Sequence, residues 1–273
     1  MRKETITSAQ NAKIKNLLLL QEKSKARREQ GLFVVEGQRE LEHCLEGGFQ
    51  VKTVFVCPEI LSSTEGALLP SAKNKADASG SSTPSVFEIP PEIYRKVAYR
   101  DSTEGIIAEV EYKARSLNDL QLPENPLVVV LESVEKPGNL GAVLRSADAA
   151  GADAVLIGDP LTDLYNPNLI RASIGAVFTV PVVAAPSAEI IPWLQARGIQ
   201  ILTAQLQDSS LYYDVDMRRG TALVMGTEST GLTEAWRKAA SAHIRIPMLG
   251  RLDSLNVSVS AAILLFEAVR QRQ

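Results

Sequence analysis

Six short apolar runs recur through the second half of this 273-residue chain, and helix-forming stretches lie between most of them. The runs are Leu127–Leu131, Ala154–Ile157, Phe178–Val183, Gln200–Ala204, Ala222–Met225 and His243–Ile246. A continuous apolar run suits a strand covered on both faces, as strands of parallel sheets are. The expected helices are Leu140–Ala150, Ser187–Ala196 and Thr233–Ala239, followed by a last one from about Leu255 to Gln271 with Val259, Ile263, Phe266 and Val269 on one face. Strands alternating with helices predict an α/β fold, a mostly parallel sheet with helices on both faces. Such sheets bind ligands where loops leave the carboxyl ends of their strands. The informative loops are therefore those after Leu131, Ala204, Met225 and Ile246.

The first half reads as a smaller α/β unit of about 110 residues. A helix is expected over Ala9–Gln30 and a strand over Leu32–Gly37, ending at a glycine turn. A helix through Leu41 and Leu45 then stops at Gly47-Gly48. Strands at Val51–Cys57 and Val86–Ile89, a short helix at Pro90–Ala98 and a strand at Gly105–Val110 complete it. Residues 71–85 are small and polar and read as a mobile loop. Pro123, Asn125 and Pro126 mark a linker. The expected domains are 1–115, a linker at 116–125, and 126–273.

Hydrophobic residues make up 45% and charged residues 22%, the balance of a soluble globular chain. No apolar run is long enough to span a bilayer, the N-terminus lacks the apolar core of a signal peptide, and Cys44 and Cys57 show neither metal nor disulfide spacing. The expectation is a cytoplasmic protein with no membrane partner and no metal. Residues 1–31 carry eight Lys or Arg against three Glu, a surplus of five, so with −3 overall the remainder sits at −8. A basic arm on an acidic body is one arrangement for phosphate contact, and a solvated helix face is the other reading.

Three loops carry the chemistry. In the first, Glu132 to Asp148, Asn139 is placed to cap a helix, and Arg145 lies nearly two turns further on, able to grip a phosphate with two parallel hydrogen bonds. Plain capping with a surface arginine is the alternative. The second, Thr221 to Thr233, is a strand, a glycine loop and a helix. Gly226, Gly231 and Thr233 match the register of the nucleotide-binding phosphate loop, but Leu232 stands where its lysine must be and Glu228 would repel phosphates. That disfavours nucleotide hydrolysis. In the third, Ile244 to Ser260, Ser254 is a candidate N-cap, while Asn256 and Ser258 are unusual just inside a helix unless their side chains bond something specific.

In this order, Asn139-x-Gly141-x-x-x-Arg145, then Leu223-Val224-x-Gly226-x-Glu228-x-x-Gly231-Leu232, then Ile246-Pro247-Met248 with Ser254-Leu255-Asn256-Val257-Ser258, the chain resembles the SpoU (TrmH-type) family of RNA ribose 2′-O-methyltransferases. Arg171–Ala176 also fits that family, and Phe33–Gly37 resembles the substrate-binding domain often fused to it, a ribosomal-protein-like α/β fold. The resemblance implies a C-terminal segment threaded into a deep trefoil knot, an exception to the unknotted rule. It also implies S-adenosylmethionine as cofactor, a homodimer formed through the catalytic domain, and structured RNA as substrate, ribosomal rather than transfer RNA. By motif, the cofactor-binding positions are Gly226, Ile246 and Leu255, with Thr203 and Ala204 nearby. The catalytic set is Arg145, Asn139, Glu228, Ser254 and Asn256, with Glu228 orienting Arg145 or Asn139. The two histidines, His43 and His243, lie in no motif. Arginine is normally always protonated, which favours Arg145 as phosphate holder and polariser of the hydroxyl over literal proton abstraction. The rival readings are a transfer-RNA methyltransferase acting on ribose, one acting on a base nitrogen, and a non-catalytic RNA-binding protein on the same scaffold.

Overall fold

The computed structural model describes residues 3–61, 83–99, 104–251 and 254–273. The chain divides into two compact units, Met1–Lys113 with Tyr165–Phe178, and Ala114–Leu164 with Thr179–Gln273.

In the first unit β1 (Lys3–Thr5) leads into α1 (Ala12–Glu22) and α2 (Ser24–Gln30). The single helix expected over 9–30 is thus two, because Lys23 is extended. Arg27 holds the break. Its buried guanidinium donates to the carbonyls of Leu20 (2.6 Å) and Gln21 (3.1 Å), which the end of α1 leaves unpaired. Arg27 is therefore a structural cation and not part of a phosphate-binding arm. There follow β2 (Leu32–Glu36), α3 (Gln38–Glu46), β3 (Val51–Val56), β4 (Ser85–Glu88), α4 (Pro91–Val97) and β5 (Ile106–Glu111). The sheet order is β1-β4-β3-β5-β2, with β5 antiparallel to β2 and β3, and β4 parallel to β1 and β3. Ile14, Leu17 and Leu20 of α1 share its core with Phe55, Phe87 and Ile107. Most of the polar stretch 71–85 lies outside the described residues; Ser85 opens β4.

The second unit is built on β6 (Leu127–Glu132), α5 (Pro137–Ala149) and β7 (Ala154–Gly158). The chain next forms α6 (Pro167–Ser173) and α7 (Ala176–Thr179), then β8 (Val182–Ala185), α8 (Ser187–Ala196), β9 (Gln200–Ala204) and β10 (Ser210–Leu211). It ends with β11 (Thr221–Met225), α9 (Glu234–Ala239), β12 (Ala242–Arg245) and α10 (Val257–Arg272). Seven strands run parallel in the order β10-β12-β9-β11-β6-β7-β8. Every residue of β6, β7 and β11 is buried, as expected of strands covered on both faces. At roughly 1.5–3 kcal/mol for each large aliphatic side chain buried, these strands are the main hydrophobic support of the site above them.

Two expectations fail here. The strand expected over 178–183 begins only at Val182. Pro181 breaks the apolar run, and Phe178 belongs to α7. In the first unit Phe178 joins an aromatic cluster in which Phe33 stacks on Tyr165 at 4.2 Å. The helix α6 was not foreseen, although Asn166 caps it through the N–H of Asn168 and Pro167 opens it. The apolar face read on the last helix is also misassigned. Its buried side is Val257, Ala261, Leu264, Leu265 and Ala268, while Val259 and Phe266 stand 46% and 49% exposed.

Candidate functional site

In the parallel sheet β12, β9, β11 and β6 are consecutive neighbours, so their carboxyl ends emerge along one edge. The loops that follow β9, β11 and β12 gather there around a cavity of about 410 Å³. That volume falls within the ordinary range for small-molecule sites. Met225, Leu232, Ile244 and Leu264 give it apolar walls. Two polar atoms at its lining, Gln205 Oε1 and Arg237 Nε, are buried and have no hydrogen-bond partner among the described residues.

The loop after β11 is shaped by backbone crowding. A Cβ on Gly226 would lie 2.3 Å from the carbonyl carbon and oxygen of Gly231, so only glycine lets the chain pass itself there. Gly231 has φ +67° and donates its N–H to the Thr227 carbonyl at 3.1 Å. The exit of the loop is tied down by Glu132, a buried carboxylate at the end of β6. It accepts from the Thr233 N–H (2.8 Å) and hydroxyl (2.6 Å) where α9 begins. Sequence reading passed over Glu132. The signal available was a carboxylate closing an otherwise apolar strand.

Of the expected cofactor positions, Ala204, Gly226, Ile246 and Leu255 line the cavity. Thr203 does not. It is fully buried, with its hydroxyl 2.6 Å from Nδ1 of His243. Successive strand residues face opposite sides, which separates it from Ala204.

The expected catalytic set divides. Glu228 Oε1 accepts from Nδ2 of Asn256 (2.7 Å) and Nδ2 of Asn139 (3.2 Å), and Asn256 Nδ2 also lies 3.2 Å from Asn139 Oδ1. Glu228 Oε2 faces the Lys136 ammonium at 3.2 Å. Segments 89 and 28 residues from Glu228 are thus joined on one carboxylate. The Lys136 hydrogen bond, with support from the Val257 N–H and Asn139, lowers the Glu228 carboxyl below its ordinary 4.5. Lys136 was not singled out from the sequence.

Asn139 is the third residue of α5, which Pro137 opens, so it does not cap that helix. Its side chain is turned to the network. Asn256, not Ser254, caps α10, accepting from the Ser258 N–H (3.0 Å) and hydroxyl (2.6 Å). Ser254 lines the cavity. Arg145 is exposed on α5 and has no hydrogen-bond or ion-pair partner among the described residues. Glu228 therefore orients the two asparagines and not Arg145.

Comparison with known proteins identifies the family. Residues 126–266 match the model of the SpoU rRNA Methylase family, and residues 11–108 match an MRM3-like substrate binding domain. A 23S rRNA (uridine(2479)-2′-O)-methyltransferase of Streptomyces viridochromogenes is 30% identical over 97% of this chain and 92% of its own length. The 23S rRNA (guanosine(2553)-2′-O)-methyltransferase RlmP of Bacillus subtilis is 29% identical over 96% and 97%. The crystal structure of an AdoMet-bound rRNA methyltransferase from Sinorhizobium meliloti superimposes with a TM-score of 0.85 at 30% identity, covering 98% of both chains. With its catalytic-region model spanning more than half its length and a relative at 30% identity over nearly all of it, the chain belongs to the SpoU rRNA methylase family.

Proposed function

We propose that the chain transfers a methyl group from S-adenosylmethionine to a ribose 2′-hydroxyl of ribosomal RNA. The observation that carries this is the cavity bounded by the loops after β9, β11 and β12, with the Glu228–Asn139–Asn256 network beside it. The cavity fits the cofactor: its volume is adequate, its apolar walls suit an adenine, and it presents an unmet donor and an unmet acceptor. The cofactor supplies an electrophilic methyl, so the protein's task is position and electrostatics. Gly226, Ile246, Leu255 and Ala204 line the cavity that would hold it. Arg145, cationic and without a partner among the described residues, holds the phosphate beside the target ribose and polarises its hydroxyl. Asn139, Asn256, Glu228 and Ser254 fix the loops against which that ribose settles.

In this reading residues 1–115 are the RNA substrate-binding domain, with a ribosomal-protein-like fold, and 126–273 the catalytic domain. The trefoil knot is supported by the chain path. The strand β12 lies beyond β9, yet the next element, α10, packs back against β11 and α5. The homodimer is supported by the exposed stripe of Val259 and Phe266 on α10, an apolar face within the catalytic domain.

The test is transfer of labelled methyl from S-adenosylmethionine to unmodified ribosomal RNA, followed by digestion to nucleosides. Label in a 2′-O-methylnucleoside is expected. Label in a methylated base, or none in ribosomal RNA while transfer RNA is labelled, would replace the proposal with one of its rivals.

A further inference from the structure

The proposed function leaves two polar groups of the cavity without a task, and they are complementary. Arg237 Nε is a donor and Gln205 Oε1 an acceptor; both are buried, and neither has a hydrogen-bond partner among the described residues. Leaving either unmet is costly, so each is suited to a ligand. They come from different elements, Arg237 from α9 and Gln205 from the residue after β9, and both line the same cavity. Their placement is firm. Trp236, next to Arg237, is fully buried and donates its indole N–H to the Ser187 hydroxyl at 2.9 Å, which fixes the rotation of α9. The Arg237 guanidinium lies beside Gly231, with one terminal nitrogen 3.8 Å from where a Cβ on that glycine would sit. Gln205 Nε2 is already engaged with the Gln207 carbonyl at 3.0 Å, which leaves its Oε1 as the available acceptor.

Resting on the reading of this cavity as the cofactor site, we propose that Arg237 and Gln205 form the subsite for the cofactor's amino-acid tail. The guanidinium takes the α-carboxylate and the Gln205 carbonyl oxygen takes the α-ammonium. The other carboxylate at the cavity, Glu228, is already occupied by Lys136 and two asparagines. A carboxylate presents two oxygens to a planar guanidinium, a stronger pairing than a ribose diol offers.

The test is isothermal titration of S-adenosylhomocysteine and of 5′-methylthioadenosine, which keeps adenine and ribose but lacks the amino acid. Arg237→Met should weaken S-adenosylhomocysteine binding by roughly 10- to 100-fold, the worth of a hydrogen bond to a charged group, and leave 5′-methylthioadenosine within about twofold. Gln205→Leu should shift the same ratio in the same direction, more weakly. Equal weakening of both ligands, or no weakening, would overturn the assignment. Should Arg237→Met fail to fold, Arg237→Lys reads the same ratio with the charge kept but the fork lost. If the wild-type protein binds neither ligand, the cavity itself is misread, which is a different failure from a misassigned arginine.

Discussion

The proposed mechanism rests most on two residues, Arg145 and Glu228, which differ in how they are held. Arg145 projects from α5 without a partner among the described residues. In the proposed mechanism it meets phosphate, so Arg145→Ala should abolish methyl transfer while the affinity for S-adenosylhomocysteine stays within about twofold; near-normal turnover would remove Arg145 from the mechanism. Glu228 is the opposite case, bound on both oxygens. Its carboxyl is lowered, chiefly by the Lys136 hydrogen bond, so the network is intact above the ordinary carboxylate value and is lost as pH falls through the lower folded value. No activity loss attributable to Glu228 is expected between pH 8 and 5, where the group stays ionised. In Glu228→Gln one terminal atom becomes a donor and faces either the Lys136 ammonium or the two asparagine amides, so kcat should fall at all pH values. Unchanged kcat in that variant would count against the network. Arg145, Asn139 and Glu228 were legible as motif residues. Their pairing was not, because the bonds join positions 89 and 28 residues apart.

The elements explain which helix-start residues were misread. Ser254, Asn256 and Asn139 are all good capping types, and propensity alone cannot rank them. Pro137 settles α5 by opening the helix two residues before Asn139, and Ser258 settles α10 by bonding Asn256. Asn256 then does two things: its oxygen caps α10 and its amide holds Glu228. The two are separable. Asn256→Ala should destabilise the protein by about 1 kcal/mol, the cost of a lost cap, and also reduce activity. Asn256→Asp keeps the cap but sets a second carboxylate against Glu228, so thermal unfolding should be closer to wild type than for the alanine variant while activity is lost. Equal unfolding midpoints for the two variants would contradict this division. The last helix was misread for a related reason. Apolar residues surround α10, so periodicity offers two faces, and the small Ala261 and Ala268 mark the side that packs.

At the scale of the molecule, the alternation of strands and helices was readable and set the class of fold: six expected strands correspond to six of the seven that form the parallel sheet, with β10 the one missed. The assignment of 165–178 was not readable. That segment lies between strands of the second unit, yet Tyr165 and Phe178 pack with Phe33 in the first. An aromatic contact across more than a hundred residues leaves no local pattern. The stripe on α10 makes a prediction at this scale. Phe266→Glu should convert a dimer to a monomer in sedimentation equilibrium; a monomeric wild type, or a variant that stays dimeric, would separate that stripe from assembly.

Methylation of ribosomal RNA at ribose is the property on which every role proposed for these residues depends. The most direct measurement is a map of 2′-O-methyl sites in ribosomal RNA from cells lacking the gene, complemented with the wild type or with Arg145→Ala. One site should vanish on deletion, return with the wild type and stay absent with Arg145→Ala. An unchanged map after deletion, or a site restored by the alanine variant, would contradict the account.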